Sequence, residues 1–427
     1  MKKIKLTALE RSWILYDIGN SAFILLVSTL IPIYFNALAT TGGLNESLYL
    51  SYWGYAGSVS TLLVAVIGPI CGTLADHRGF KKPIFMGCML LGVLGCAAMG
   101  VTAGWLAFLV VFVLAKVGYS SSLVFYDAML PEVTTDERMD TVSSMGYAYG
   151  YIGSVIPFIL CLLLVQFGDK IGIGAGTAMV VSFLITAVWW FVCTQPLLKR
   201  YRQTAFVEHG SNPVSSTFRR LRDTFREVRQ QKHIFLYLLA FFFFIDGVYT
   251  IIDMATAYGT ALGLNTTGLL LALLLTQFVA FPCSIAFGRF SAKYDTGLLI
   301  KICILCYTGI TLFAVFLVSQ WQFWVLAVLV GMFQGGIQAL SRSYLGKIIP
   351  AERSGEYFGL MDICGKGASF LGTTLIAMVS QLTDGRSFHV FGLELQNENI
   401  AVGTLVVIFA IGFVLFCKAD KLNNTIS

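Results

Sequence analysis

One rhythm constrains this chain more than any other feature. A nearly uncharged apolar run returns roughly every 30 positions, and each run is long enough to cross about 30 Å of hydrocarbon at about 1.5 Å per residue. Over such a length in lipid, a helix satisfies all of its own backbone hydrogen bonds, so each run reads as a membrane helix. Twelve are predicted, over 12–37, 51–75, 83–102, 105–130, 143–165, 174–194, 233–257, 266–288, 298–318, 322–346, 357–381 and 399–417. The expected fold class is therefore all-α integral membrane. Composition excludes a water-soluble core, with 57% hydrophobic residues, 12% charged residues and a mean hydropathy of +0.77.

A cleaved signal peptide is the competing reading of the first run, because Lys2, Lys3 and Lys5 precede it. The run is too long for one, it carries Asp17, and no small-residue cleavage site follows, so a retained first span is expected.

Basic residues set the orientation. With the N-terminus inside, Arg11, Arg78, Lys81, Lys82, Arg138, Arg289, Lys293, Lys301, Lys347, Arg353, Lys418, Lys421 and the basic residues of 195–232 all fall on the inner side, leaving Lys170 and Arg386 outside. Both termini are expected in the cytoplasm, within a bacterial cytoplasmic membrane. The net charge of +6 then reports topology, not an affinity for nucleic acid.

The polar stretch 195–232 divides the chain into a six-helix bundle over 1–194 and another over 233–427. Within it Phe218, Leu221, Phe225 and Val228 share one helical face, and Arg219, Arg220, Arg222, Arg226 and Arg229 surround the rest, as in a helix lying on an anionic leaflet. A solvated loop is the alternative. Three landmarks recur in both halves: Gly72 to Asp76 against Gly288 to Ala292, Pro131 against Pro350, and Glu137-Arg138 against Glu352-Arg353, at offsets of 215 to 219 positions. This is the mark of a parallel repeat. The ten cysteines lie mostly inside spans and are expected as free thiols; the four histidines are scattered, and no metal-ligand spacing appears.

Gly72-Thr-Leu-Ala-Asp-His-Arg-Gly-Phe-Lys-Lys82 resembles the signature between spans 2 and 3 of the major facilitator superfamily. The resemblance implies that Asp76 holds an inner gate by facing the positive N-terminal end of a helix from the other half. Gly72, Arg78, Gly79, Lys81 and Lys82 belong to the same motif, and Gly68 with Gly72 makes a small-xxx-small face. In the second half Ala292 replaces the aspartate and Asp295 the second glycine, so no equivalent gate contact is expected there. The stretches YDIGNSAF, FYDAMLPE, DGVYTI, LLTQFVAFP and GGIQALSRS, with Gly365-Lys366, resemble the Atg22-like branch, whose eukaryotic members are associated with amino-acid efflux from the vacuole. Departures from that pattern stand at Ile18-Gly19, Asp127 and Tyr249, and Tyr151 replaces the proline of an antiporter signature.

Polar residues repeat at helical spacing in spans 1, 4, 7 and 10, the spans that line the central cavity in the superfamily this chain resembles. They are Asp17, Asn20, Ser21 and Ser28; Lys116, Tyr119, Ser120 and Asp127; Asp246, Tyr249, Thr250 and Asp253; and Gln334, Gln338, Ser341 and Arg342. A charge at the centre of a lone membrane helix costs about 2.5 to 3.5 kcal/mol on insertion scales, so each needs a partner or water. Structural pairing is the alternative at every position, and Asp362 with Lys366, one turn apart, reads as a self-satisfying ion pair. The expectation is a monomeric secondary transporter, not an enzyme. It would move a small polar solute by alternating access, with an amino acid or related zwitterion as substrate and protons as the coupling ion. No cofactor or nucleic acid is expected. A membrane receptor that keeps the fold without turnover is the alternative.

Overall fold

The computed structural model describes residues 5–44, 46–208, 223–224, 226–383, 388–390, 393–395 and 397–426. Half of the amphipathic linker stretch over 214–233, residues 214–222 and 225, lies outside these residues. Of its described part, Val228 is buried and Arg226 and Arg229 are exposed.

Among the described residues twelve helices are long and apolar enough to cross a membrane. They are span 1 (Ala8–Thr41), span 2 (Ser51–Ala75), span 3 (Lys81–Val101), span 4 (Trp105–Ala128), span 5 (Asp136–Ile171), span 6 (Ala175–Arg200), span 7 (Lys232–Ala255), span 8 (Thr267–Phe290), span 9 (Thr296–Val315), span 10 (Gln320–Ile348), span 11 (Ala351–Leu382) and span 12 (Glu398–Thr425). Number and order agree with the apolar rhythm. The helices overrun it at polar ends, because capping decides where a helix starts and hydropathy does not. Span 1 opens with a capping box, in which Thr7 and Glu10 exchange backbone and side-chain hydrogen bonds of 2.7 and 3.1 Å. Span 5 starts at Asp136 with two acids in its first turn. The last helix runs on to Ile426, well beyond the predicted end.

Span 1 is interrupted. Its helix ends at Val27 and restarts at Leu30, where both hydroxyls of the step, Ser28 Oγ at 3.1 Å and Thr29 Oγ1 at 2.5 Å, donate to the Leu25 carbonyl. Pro32, with no amide hydrogen, follows within the next turn. Outside the spans, Phe388–Val390 pairs antiparallel with Leu393–Leu395 between spans 11 and 12, a hairpin that the apolar rhythm does not signal.

The chain forms two compact units that do not follow the sequence halves throughout. The first runs to Thr135, resumes at Tyr149 for spans 5 and 6, and takes in Pro350–Gly359 from the second half. The second takes in Asp136–Ala148 from the first half, together with spans 7 to 10 and the chain from Leu360 onward. Each unit thus contains the opening turns of one span from the other half.

Candidate functional site

In the first unit, Asp76 closes the loop after span 2 and is fully buried. Its Oδ1 accepts the Gly355 amide at 2.8 Å and its Oδ2 accepts the Glu356 amide at 2.9 Å. These amides belong to the first turn of the helix that starts at Ser354, where the helix itself supplies no acceptor. Asp76 therefore caps another span in trans, and its charge also meets the positive end of that helix dipole. Burial pushes the Asp76 carboxyl up to about 7, against the lowering influence of Lys81 and of the two amides and with a raising influence from Glu356.

Lys81 is also fully buried, 3.8 Å from Asp76 Oδ1. Its ammonium donates to Glu132 Oε1 at 2.7 Å and Ser354 Oγ at 2.8 Å, and Ser354 Oγ donates to the Ala128 carbonyl at 2.8 Å. One lysine thus joins the loop after span 2, the end of span 4 and the start of span 11. Gly79 turns the loop with φ +82, a conformation that favours glycine, and Arg78 and Lys82 stay at the surface of the motif.

The backbones of spans 2 and 11 nearly touch. A Cβ on Gly72 would collide with the Gly355 carbonyl, and one on Gly359 would stand 3.0 Å from Pro69 Cα and 3.1 Å from the Gly68 carbonyl. Gly68-xxx-Gly72 therefore faces a second small pair, Gly355-xxx-Gly359, which the sequence reading passed over. Gly72→Leu should release residues 350–359 from this unit, because backbone atoms cannot move aside as a side chain would. Thiol labelling of a cysteine at buried Ser354 measures it. At least a tenfold faster reaction is expected, and an unchanged rate would refute the close-packing account.

The second unit holds a counterpart built differently. No contact was expected on Asp295, and that residue caps its own helix, accepting the Leu298 amide at 3.1 Å. The carboxylate comes instead from Asp140 at the start of span 5. It accepts Thr296 Oγ1 at 2.6 Å, Ser343 Oγ at 2.5 Å and Lys347 Nζ at 2.7 Å. Beside it Arg342, expected to line a cavity, is buried; its Nε donates to Ser143 Oγ at 2.9 Å, its Nη2 donates to the Ser143 carbonyl at 3.0 Å, and its guanidinium stacks 4.5 Å from the Tyr147 ring centre.

In YDIGNSAF nearly every side chain meets a neighbour. Tyr16 shares a 2.6 Å hydrogen bond with Ser122, and Asp17 Oδ2 accepts the Tyr126 hydroxyl at 2.7 Å. The Ile18 side chain fills the space that Gly153 leaves, and Gly19 lies where a Cβ would press on Cys193 and Trp190. Asn20 donates to the Tyr16 carbonyl at 2.9 Å, and Gly150 leaves room for Ser21. In this structure Asp17 and Asn20 are 7% and 2% exposed, with Trp13 and Tyr16 packed against the ring of Tyr126, while Ser21 is half-buried and Ser28 exposed. Tyr119 also packs, against Phe23 and Trp190. Lys116 lies over Phe112 at 5.9 Å from the ring centre and is half-buried, as is Asp127.

On span 7 Asp246 is buried, Tyr249 is half-buried and Asp253 is exposed. Asp246 Oδ1 accepts the Gly372 amide at 2.9 Å, while Oδ2 has no hydrogen-bond partner among the described residues. On span 10 Gln334 is buried beside a small cavity and Gln338 is half-buried. Asp362 and Lys366 form their ion pair on one helix turn. Glu132, Asp140, Gln203 and the Ser354-Gly355-Glu356 turn were not foreseen as site residues. FYDAMLPE carried Glu132, while Asp140 has no motif.

Twelve apolar helices and the Gly72 to Lys82 loop define a membrane transporter of the major facilitator class, a superfamily whose members are generally not enzymes. The fold is similar to that of the transporter FucP in its outward conformation, with a TM-score of 0.71, 15% identity, and 96% of this chain and 97% of that one covered. A family model described as "Vacuole effluxer Atg22 like" matches residues 8–420. The MFS-type transporter YxiO of Bacillus subtilis is 38% identical over 426 residues, covering 99% of this chain and 97% of the relative. Autophagy-related protein 22-1 of Aspergillus fumigatus is 25% identical over 266 residues, 56% of this chain and 43% of the relative, so that match spans less than half of the fungal protein. The chain belongs to the Atg22-like family.

Proposed function

We propose that this transporter exports a small zwitterion, of the amino-acid class, by alternating access coupled to protons. The observation that carries the reading is the trans cap on span 11. A helix start held by one carboxylate and two amides is a contact built to form and break as a unit. The zwitterion class is supported by the two charge signs on the polar stripes, Lys116 against Asp127 and Asp253. Proton coupling is supported by Asp246, a buried carboxyl with one oxygen unpartnered among the described residues. Outward direction is supported by the description of the family as effluxers. The basic residues support cytoplasmic termini in a bacterial inner membrane, and the working unit is taken as a monomer. The test is counterflow in proteoliposomes preloaded with each amino acid in turn. Saturable exchange of at least one zwitterion is expected, and no exchange of any, from protein shown to be folded, would overturn the substrate class.

A further inference from the structure

Beside the trans cap, the chain after span 6 returns to the loop between spans 2 and 3 and is tied to it residue by residue. The Gln203 carbonyl accepts the Gly79 amide at 2.9 Å, and its amide group donates to the Ala75 carbonyl at 3.1 Å. The Val207 amide donates to the Asp76 carbonyl at 2.8 Å. Glu132 takes up the rest: it accepts the Tyr201 hydroxyl at 2.8 Å and the Thr204 and Ala205 amides at 2.5 and 3.0 Å, on top of Lys81. Residues 201–207 thus form a strap across the loop that carries Asp76.

Strap and loop together line an open cleft of about 390 Å³. Arg78 and Lys82 reach it from the loop and Arg202 from the strap, over a floor of Tyr201, Pro83 and Phe206, and none of its lining residues is acidic. Arg78 is steadied by stacking 5.1 Å from the Phe206 ring centre. The neighbouring carboxylates are already occupied, Glu132 by the strap and Lys81 and Asp76 by span 11. Among the described residues that line it, three cations from two segments therefore meet with no acidic residue.

We propose that this cavity binds a phosphate group, held by Arg78, Lys82 and Arg202, which fastens the strap to the loop. Guanidinium forks match the paired oxygens of a phosphate better than they match a spherical halide, and the one or two negative charges of a phosphate ester offset part of the convergent positive charge. The group is carried either by a soluble phosphorylated metabolite or by an anionic lipid headgroup. The site stands on its own geometry, independent of which solute the transporter moves.

Two titrations of the purified full chain test this. In nonionic detergent, inorganic phosphate is titrated against potassium chloride at matched ionic strength while thermal unfolding is followed. In nanodiscs, phosphatidylglycerol replaces phosphatidylcholine stepwise. Saturable stabilisation by phosphate assigns the site to soluble phosphates as well as headgroups, and stabilisation by phosphatidylglycerol alone assigns it to lipid. Arg202→Gln is expected to raise the half-saturation point about tenfold, since it removes one charge-assisted donor pair, and Arg202→Lys to recover part of the loss. Lys82→Gln serves as a second variant should Arg202→Gln not fold. Equal stabilisation by chloride, variants that titrate as the wild type does, or no stabilisation by either probe would overturn the proposal.

Discussion

Replacing Asp76 by asparagine is expected to abolish a pH dependence that the wild-type protein shows between pH 6 and 8. In the docked state burial holds the carboxyl at about 7, whereas a carboxyl released to water has its ordinary value of 3.8. The docked state therefore binds more protons than the released state between these values, and linkage makes docking weaken as pH rises. The stabilisation is fully present below about pH 4 and is lost as pH rises through about 7. From pH 6 to pH 8 the ratio of released to docked molecules should rise about tenfold. Asparagine keeps an acceptor for one amide and cannot titrate, so its ratio should be flat. Asp76→Ala leaves both amides without their acceptor, at about 1 to 3 kcal/mol each, and should shift the ratio at least tenfold toward release at every pH. Thiol reactivity of a cysteine at Ser354 reads the ratio. A wild-type reactivity independent of pH would show that Asp76 does not titrate with docking.

Asp246→Asn should separate exchange from accumulation. In the wild type Oδ1 is fixed by the Gly372 amide, while Oδ2 has no partner among the described residues. A proton on Oδ2 can thus come and go without dismantling the contact between spans 7 and 11. Asparagine is nearly isosteric and keeps the acceptor for Gly372, but it cannot carry a proton. Under an imposed pH gradient, accumulation in proteoliposomes should fall at least tenfold, with counterflow of the same substrate retained. Accumulation equal to wild type would remove Asp246 from the coupling. Loss of counterflow as well, or failure to fold, would make the residue structural.

The number and order of spans were legible because lipid demands uninterrupted apolar length, and that demand is written locally. Their ends were not, since helices begin at Ala8, Asp136 and Ser354, several residues outside the hydrophobic cores, and only the first of these starts is marked by a capping box, at Thr7. The Asp76 contact was legible only through a motif. Its two donors are backbone amides, which leave no trace in side-chain identity beyond a glycine at 355. Asp17 shows what spacing alone leaves open. Its helical spacing suggested a face toward water, but periodicity cannot distinguish a cavity from a neighbouring span that brings a tyrosine hydroxyl, as span 4 does with Tyr126. Arg342 stands on such a stripe too, and the Ser143 that it meets in this structure lies 199 positions away. The strap of 201–207 was hidden because most of its bonds use main-chain groups at one end, met by the side chains of Gln203 and Glu132, which no motif pairs.

The central claim is that residues 350–359 dock on and release from the first unit during transport. Spin labels at two exposed positions, Arg11→Cys in span 1 and Glu352→Cys at the start of span 11, measure this directly once the ten native cysteines are replaced. Pulsed dipolar spectroscopy should give two distance populations. The longer should grow about tenfold relative to the shorter from pH 6 to pH 8, and should dominate with Asp76→Ala at either pH. A single distance, unmoved by pH, by substrate or by Asp76→Ala, would contradict the account.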